Sequence, residues 1–209
     1  MRTLTKAGAV AAFAVCAAPA AQAASVEIAN GVTDIAVVQG TFDLLATADI
    51  TLLGDTGLTA PTTLNFGISG GTVDTETGDA VIEHDGVGVQ LTLGAGTDEE
   101  SSVSIGDFVI DTAQATVFGT LNGGTDLLPY FLFAEKDESE ADTPGIKLVL
   151  SDTLSGALEG FFGLEEEALE GATFGFAETN PTLVPLPAAG WMLLAALGGL
   201  GVMRRNRAA

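Results

Sequence analysis

The chain has 209 residues, with 28 Asp and Glu, seven Lys and Arg, one His and one Cys, for a formal net charge of −21. All 28 acids fall between Glu27 and Glu178, where only Lys136 and Lys147 oppose them, so that stretch carries −26 and the two ends supply the remaining five cations. Such a surface is repelled by nucleic acid and by anionic membranes, and one His and one Cys are too few for most zinc or thiol chemistry.

The N-terminus has the three parts of an export signal. Arg2 and Lys6 form a basic n-region, Ala7 to Ala18 an apolar h-region, and Ala21-Gln22-Ala23 an A-x-A cleavage site. Residues 1–23 are therefore expected to be removed after Ala23. Cys16 leaves with them, so the mature chain has no cysteine and no disulfide framework, and its stability must come from a core.

Residues 24–178 have the size of one domain and read mainly as short strands. Val26-Glu27-Ile28 and Ile35 to Val38 open the series. Leu44 to Leu53 fits a strand or a short helix by period, and the β-branched Ile50 and Thr51 favour a strand. Thr63 to Ile68 alternates and runs into Gly70-Gly71, a turn signal. Ala80 to His84 leads to Asp85-Gly86, a two-residue hairpin signal, and Val87 to Leu93 returns with period two. Ser102–Ile105 and Phe108–Asp111 read as two strands. Ala115 to Leu121 follows, closed by Asn122-Gly123-Gly124. Tyr130–Ala134 and Ile146–Leu150 are apolar runs either side of an acidic loop at 135–143.

One segment has helical spacing. Ser151 can cap a helix in which Leu154, Ala157, Leu158 and Phe161 share a face, with Gly163 as its stop. Glu165 to Leu169 adds a further helical turn or two. Ala172 to Ala177 returns to strand, and 179–183 reads as a linker. The expected fold is an antiparallel β-sandwich or barrel with one or two short helices near 152–170, plus a C-terminal transmembrane helix.

Chemistry-bearing constellations are sparse. Gly67-Ile68-Ser69-Gly70-Gly71 matches the G-x-S-x-G pattern, but strands flank it where a nucleophile elbow needs strand, turn and helix; a glycine turn with a solvent-facing serine is expected. Asp74, Glu76 and Asp79 place three carboxylates in one Gly-containing loop, which makes calcium the candidate ligand. Asp98-Glu99-Glu100 and Asp137, Glu138, Glu140 and Asp142 form further acidic clusters. Paired carboxylates for glycoside hydrolysis find many partners among 28 acids. No aromatic platform for sugars accompanies them, since Tyr130 is the one Tyr and Trp191 the one Trp.

Asn65 to Val73, then Ile82-Glu83-His84-Asp85-Gly86 and Ser104 to Thr112, are similar to the HtaA-type domain of haem-uptake surface proteins. That resemblance implies haem binding through a Tyr or His, for which this chain offers His84 and Tyr130.

The tail has the most specific pattern. Val184-Pro185-Leu186-Pro187-Ala188 opens an uncharged run, 18 residues long from Leu186 to Met203, that ends at Arg204, Arg205 and Arg207. As a helix the uncharged run spans about 27 Å, close to a bilayer's hydrocarbon thickness. Residues 184–209 resemble the VPLPA-CTERM signal, a variant of the PEP-CTERM sorting signals of Gram-negative bacteria. The resemblance implies recognition by an exosortase, a membrane-embedded protease with a Cys nucleophile that cuts near the proline motif. The three arginines are expected to hold the C-terminus in the cytoplasm, with 24–183 outside.

The expected protein is thus exported, held transiently in the inner membrane, and delivered to the cell surface or extracellular matrix. Its expected role there is structural or adhesive rather than enzymatic. Its expected partners are the processing protease, the membrane and exopolysaccharide or other matrix components. The alternatives are a secreted carboxylate-dependent hydrolase and a haem- or calcium-binding module.

Overall fold

A computed structural model describes residues 25–59 and 62–184. The elements are β1 (Ser25–Val37), α1 (Gln39–Leu45), β2 (Asp49–Leu53), β3 (Thr56–Thr59), β4 (Thr63–Ile68), β5 (Gly70–Asp74) and β6 (Ala80–Leu93), followed by β7 (Ser101–Asp111), β8 (Thr116–Leu121), β9 (Leu128–Ala134), β10 (Ile146–Leu150), α2 (Asp152–Phe162) and β11 (Thr173–Leu183). The protein is mainly β and the sheet is antiparallel, as the alternating sequence predicts. From β1 the pairings run through β5, β6, β7, β8, β9, β10 and β11, and β11 returns to β1. The sheet closes on itself as a barrel, which removes the edges that an open sheet would expose.

The ring widens toward one end. β4 and β5 both pair with β1 and form one bent strand, but only β5 reaches β6. Above that level β2 lies on β6 and β3 lies on β4, filling the gap.

Three sequence expectations fail at the bends. Asp85-Gly86 is not a hairpin turn; β6 runs through it as one 14-residue strand. A type I′ turn needs positive φ at both central residues, whereas here Gly86 has φ 70° and Asp85 is absent from the residues with positive φ. On the facing strand Asp107 has φ 50°, and its Oδ1 accepts the Gly86 N–H at 2.7 Å. The inward set on β6 changes from Ile82 and His84 to Val87, Val89 and Leu91. On β7 it changes from Ile110 and Phe108 to Ile105 and Val103. An odd offset on both strands keeps the apolar side inward across the bend. For the same reason 102–105 and 108–111, read as two strands, are one.

Gly70-Gly71 is likewise not a turn but the start of β5. Gly71 has φ 130°, and a Cβ there would lie 2.2 Å from the Val81 carbonyl oxygen. The glycine pair lets the strand change partner from β3 to β6. The actual reversal is at 75–79, where the Asp74 carboxylate accepts from the Glu76 and Thr77 N–H groups.

Residues 179–183, read as a linker, are the end of β11 and pair with β1, with Gly31 opposite Pro181. β10 pairs with β11 only as far as Ala177, so the other edge beyond it is free and a proline without an N–H is tolerated. The 44–53 stretch is divided: Leu44 and Leu45 end α1, and β2 begins at Asp49.

Helix α2 forms as its sequence predicts. The Ser151 side chain accepts from the Leu154 N–H, and Gly163 ends the helix at φ 67°. The second helical piece does not form. Glu159, buried on α2, accepts the N–H groups of Glu167 and Leu169 at 3.1 and 2.7 Å. This holds 164–171 as turns, with Glu167 at φ 64°. The predicted transmembrane helix lies outside the described residues, among which no helix is long and apolar enough to cross a membrane.

Candidate functional site

The two ends of the barrel differ. At the end where β1 and β10 finish, α1 and α2 fold over the opening. Phe42 and Leu45 from α1 and Leu154 and Leu158 from α2 meet Leu91, Ile105 and Phe131 there and leave only about 30 Å³ free. Edge-to-face contact of Phe66 with Phe108 (5.1 Å) and the tilted pair Phe131–Phe174 (4.6 Å) fix the packing below.

Among the described residues no helix crosses the other end, and a partly open cavity of about 270 Å³ occupies the mouth. Its walls are the inward residues of successive strands: Ile82, Ile110, Val117, Phe133 and Leu148. Ile146, Glu178 and Thr179 also line it, with Glu178 as its one acid.

A line of polar groups runs from this mouth into the core. The Thr179 hydroxyl lies 3.1 Å from the Thr33 hydroxyl, and Thr33 lies 2.9 Å from His84 Nε2. Thr33 and His84 are 2 % and 1 % exposed. His84 Nδ1 has no hydrogen-bond partner among the described residues. Burial pushes the imidazole down to about 4, against smaller opposing contributions from the Phe108 and Ile82 carbonyls and from Asp85, so the ring is neutral at pH 7. Tyr130, 1 % exposed, also has an unpartnered hydroxyl, and burial pushes it up to about 12.

The remaining sequence candidates fall elsewhere. Ser69 is exposed and its hydroxyl accepts the Asp85 N–H, while His84 faces inward to Thr33, so the G-x-S-x-G serine has no base beside it. Asp74, Glu76 and Asp79 lie on the β5–β6 turn. One Asp74 oxygen is spent on that turn, and no group of three His, Cys, Asp or Glu among the described residues is placed to hold a metal. The other acidic clusters serve their own loops. Glu100 accepts the Gly96 N–H. Asp137 accepts from Ser139 and Glu140, and the Ser139 bonds hold its carboxyl below the usual range.

Lys147 pairs with Glu140 at 2.7 Å. Lys136 donates to the Thr143 carbonyl and lies 5.8 Å from the Phe176 ring centre. For haem, His84 is already engaged through Nε2, and 270 Å³ falls below the range usual for even drug-sized ligands, ~300–1,000 Å³.

Of the sorting residues only Val184 is among those described; it is exposed, and its N–H donates to the Glu27 carbonyl at 2.8 Å. Pro185, Leu186, Pro187, Ala188, Ala21, Ala23, Arg204, Arg205 and Arg207 lie outside. Sequence reasoning missed the mouth cavity and the Thr179–Thr33–His84 line. Alternation marks which residues face inward, but not which end of the barrel stays uncovered. Comparison with protein-family models, curated proteins and solved structures gave no match to this chain.

Proposed function

We propose that the chain is the precursor of an exported surface or matrix protein, held in the inner membrane by residues 184–209 and released or transferred when an exosortase-type protease cuts near Val184–Ala188. The working protein is then the acidic barrel alone, acting as a structural or adhesive component without catalysis. The observation that supports this reading is the pairing of β1 with β11. Leu183, one residue before the proline motif, lies opposite Ile28, five residues beyond Ala23. β1, which holds Ser25, and β11, which Val184 follows, are neighbours at the open mouth, so both expected processing signals adjoin one end of the barrel.

The hydrolase alternative asks for two carboxylates facing each other in a cleft. The one buried carboxylate, among the described residues, is Glu159, and both its oxygens are bound to backbone N–H groups. The cavity at the mouth has a single acid, Glu178. Calcium, as a structural ligand of the 74–79 loop, would need oxygens that this loop does not converge.

Cell fractionation with intact-mass measurement, in strains with and without the exosortase, tests the proposal. The expected result is a protein starting near Ala24 and lacking most of 184–209 only when the protease is present. Retention of the whole tail in the exosortase-positive strain overturns it.

A further inference from the structure

We infer that the open mouth of the barrel is a binding site for a small apolar molecule without negative charge. The cavity there, about 270 Å³, is walled by Ile82, Ile110, Val117, Phe133 and Leu148. An apolar cavity of ~150 Å³ takes up benzene, so this one accommodates a two-ring or short-chain molecule. The opposite end of the same barrel is filled by Leu154 and Leu158 and leaves about 30 Å³. Covering an end was therefore within reach of this fold, and among the described residues only one end is covered.

The polar groups at the mouth select the ligand's chemistry. The Thr179 side chain lines the cavity and heads the hydrogen-bonded line through Thr33 to the buried, neutral His84, which gives a ligand one fixed hydroxyl to meet. The single charge on the wall is Glu178. Neither lysine of the barrel faces the mouth: Lys147 is paired to Glu140, and Lys136 is bound to the Thr143 carbonyl beside Phe176. With −26 on the surrounding domain, anions such as fatty acids are repelled, and no Lys or Arg stands among the described residues of the wall. Apolar walls with one or two placed polar groups are the usual composition of a small-molecule pocket.

Titration of the full-length chain in nanodiscs with N-phenyl-1-naphthylamine, uncharged and fluorescent in apolar surroundings, tests this. Empty nanodiscs serve as the blank, and the anionic 8-anilino-1-naphthalenesulfonate serves as the matched charged probe. The expected result is saturable one-to-one binding above the blank, with the anionic dye at least tenfold weaker. Ile146→Trp, at the half-exposed rim, is expected to weaken the neutral dye at least tenfold. Leu127→Trp, at the covered end, is expected to leave it unchanged.

Absence of saturable binding above the blank overturns the inference, as does equal binding by Ile146→Trp. Should Ile146→Trp fail to fold, Glu178→Lys at an exposed position decides. A severalfold narrowing of the gap between the two dyes supports the site, and an unchanged gap overturns it. None of these outcomes depends on whether the tail is processed.

Discussion

The covered and the open end of the barrel share most of their strands, with β2 to β4 at the covered end and β5 at the open one, but they treat apolar surface in opposite ways. At the covered end, short connections lengthen into α1 and α2, and their leucines complete the core. At the open end, the strands simply turn, and inward side chains such as Phe133 and Ile146 remain partly exposed. The covered end spends its residues on packing. The open end gives up some packing to keep a cavity. The difference teaches that stability and recognition are spatially separated here, with the line from His84 to Thr179 joining them.

Truncation at the covered end should have the largest effect. Leu158→Ala removes a fully buried side chain from the α2 plug, 2 % exposed, and should cost about 2–5 kcal/mol in urea unfolding. A loss below 1 kcal/mol would mean that α2 is not part of the core and that the two ends are alike.

Next comes the polar line between the ends. The folded-state value for His84, about 4, lies below its ordinary 6.5, so the unfolded chain takes up the proton first. Its contribution is fully present above pH 6.5, declines as pH falls toward about 4, and changes no further below that. The integrated effect is about 3 kcal/mol. Subtracting the stability profile of His84→Gln from that of the wild type should isolate a loss confined to this window. Asp111 and Asp137, held low by their hydrogen bonds, lose their contributions only below the ordinary Asp value near 3.8. A difference profile flat from pH 6.5 to 4 would place the imidazole in contact with water.

Smaller effects sharpen the contrast further. Ser151→Ala removes the N-cap of α2 and should cost about 1 kcal/mol. Ile146→Ser at the mouth, 44 % exposed, should change stability by less than about 0.5 kcal/mol. A loss at Ile146 as large as that at Leu158 would make the mouth a packed end, and the cavity reading would fail with it.

Much of the fold is legible along the chain because strand alternation and helix capping are local. Thr63–Ile68, Ile146–Leu150 and the Ser151-to-Gly163 helix lie where their residues put them. The misreadings in the strands share one cause. Asp85-Gly86 and Gly70-Gly71 have the composition of turns, but their neighbours across the sheet make them bends in continuous strands. Pro181 looks like a linker residue until its partner on β1 is known. The candidate site was legible only in fragments: His84 stood out as the one histidine, yet nothing near it in sequence points to Thr33 or Thr179, 51 residues from His84 and 146 residues from Thr33 respectively.

By itself the sequence determined the strand-rich class and the charge division, because each of these depends on composition or on spacing within a few residues. Only the tertiary structure decided that the sheet closes and that α1 and α2 cover one end. It also put a neutral histidine in the core and an apolar mouth beside Ser25 and Val184. Those features depend on which distant strands pair, and pairing is settled by burial of the whole inward face at once rather than by any one segment.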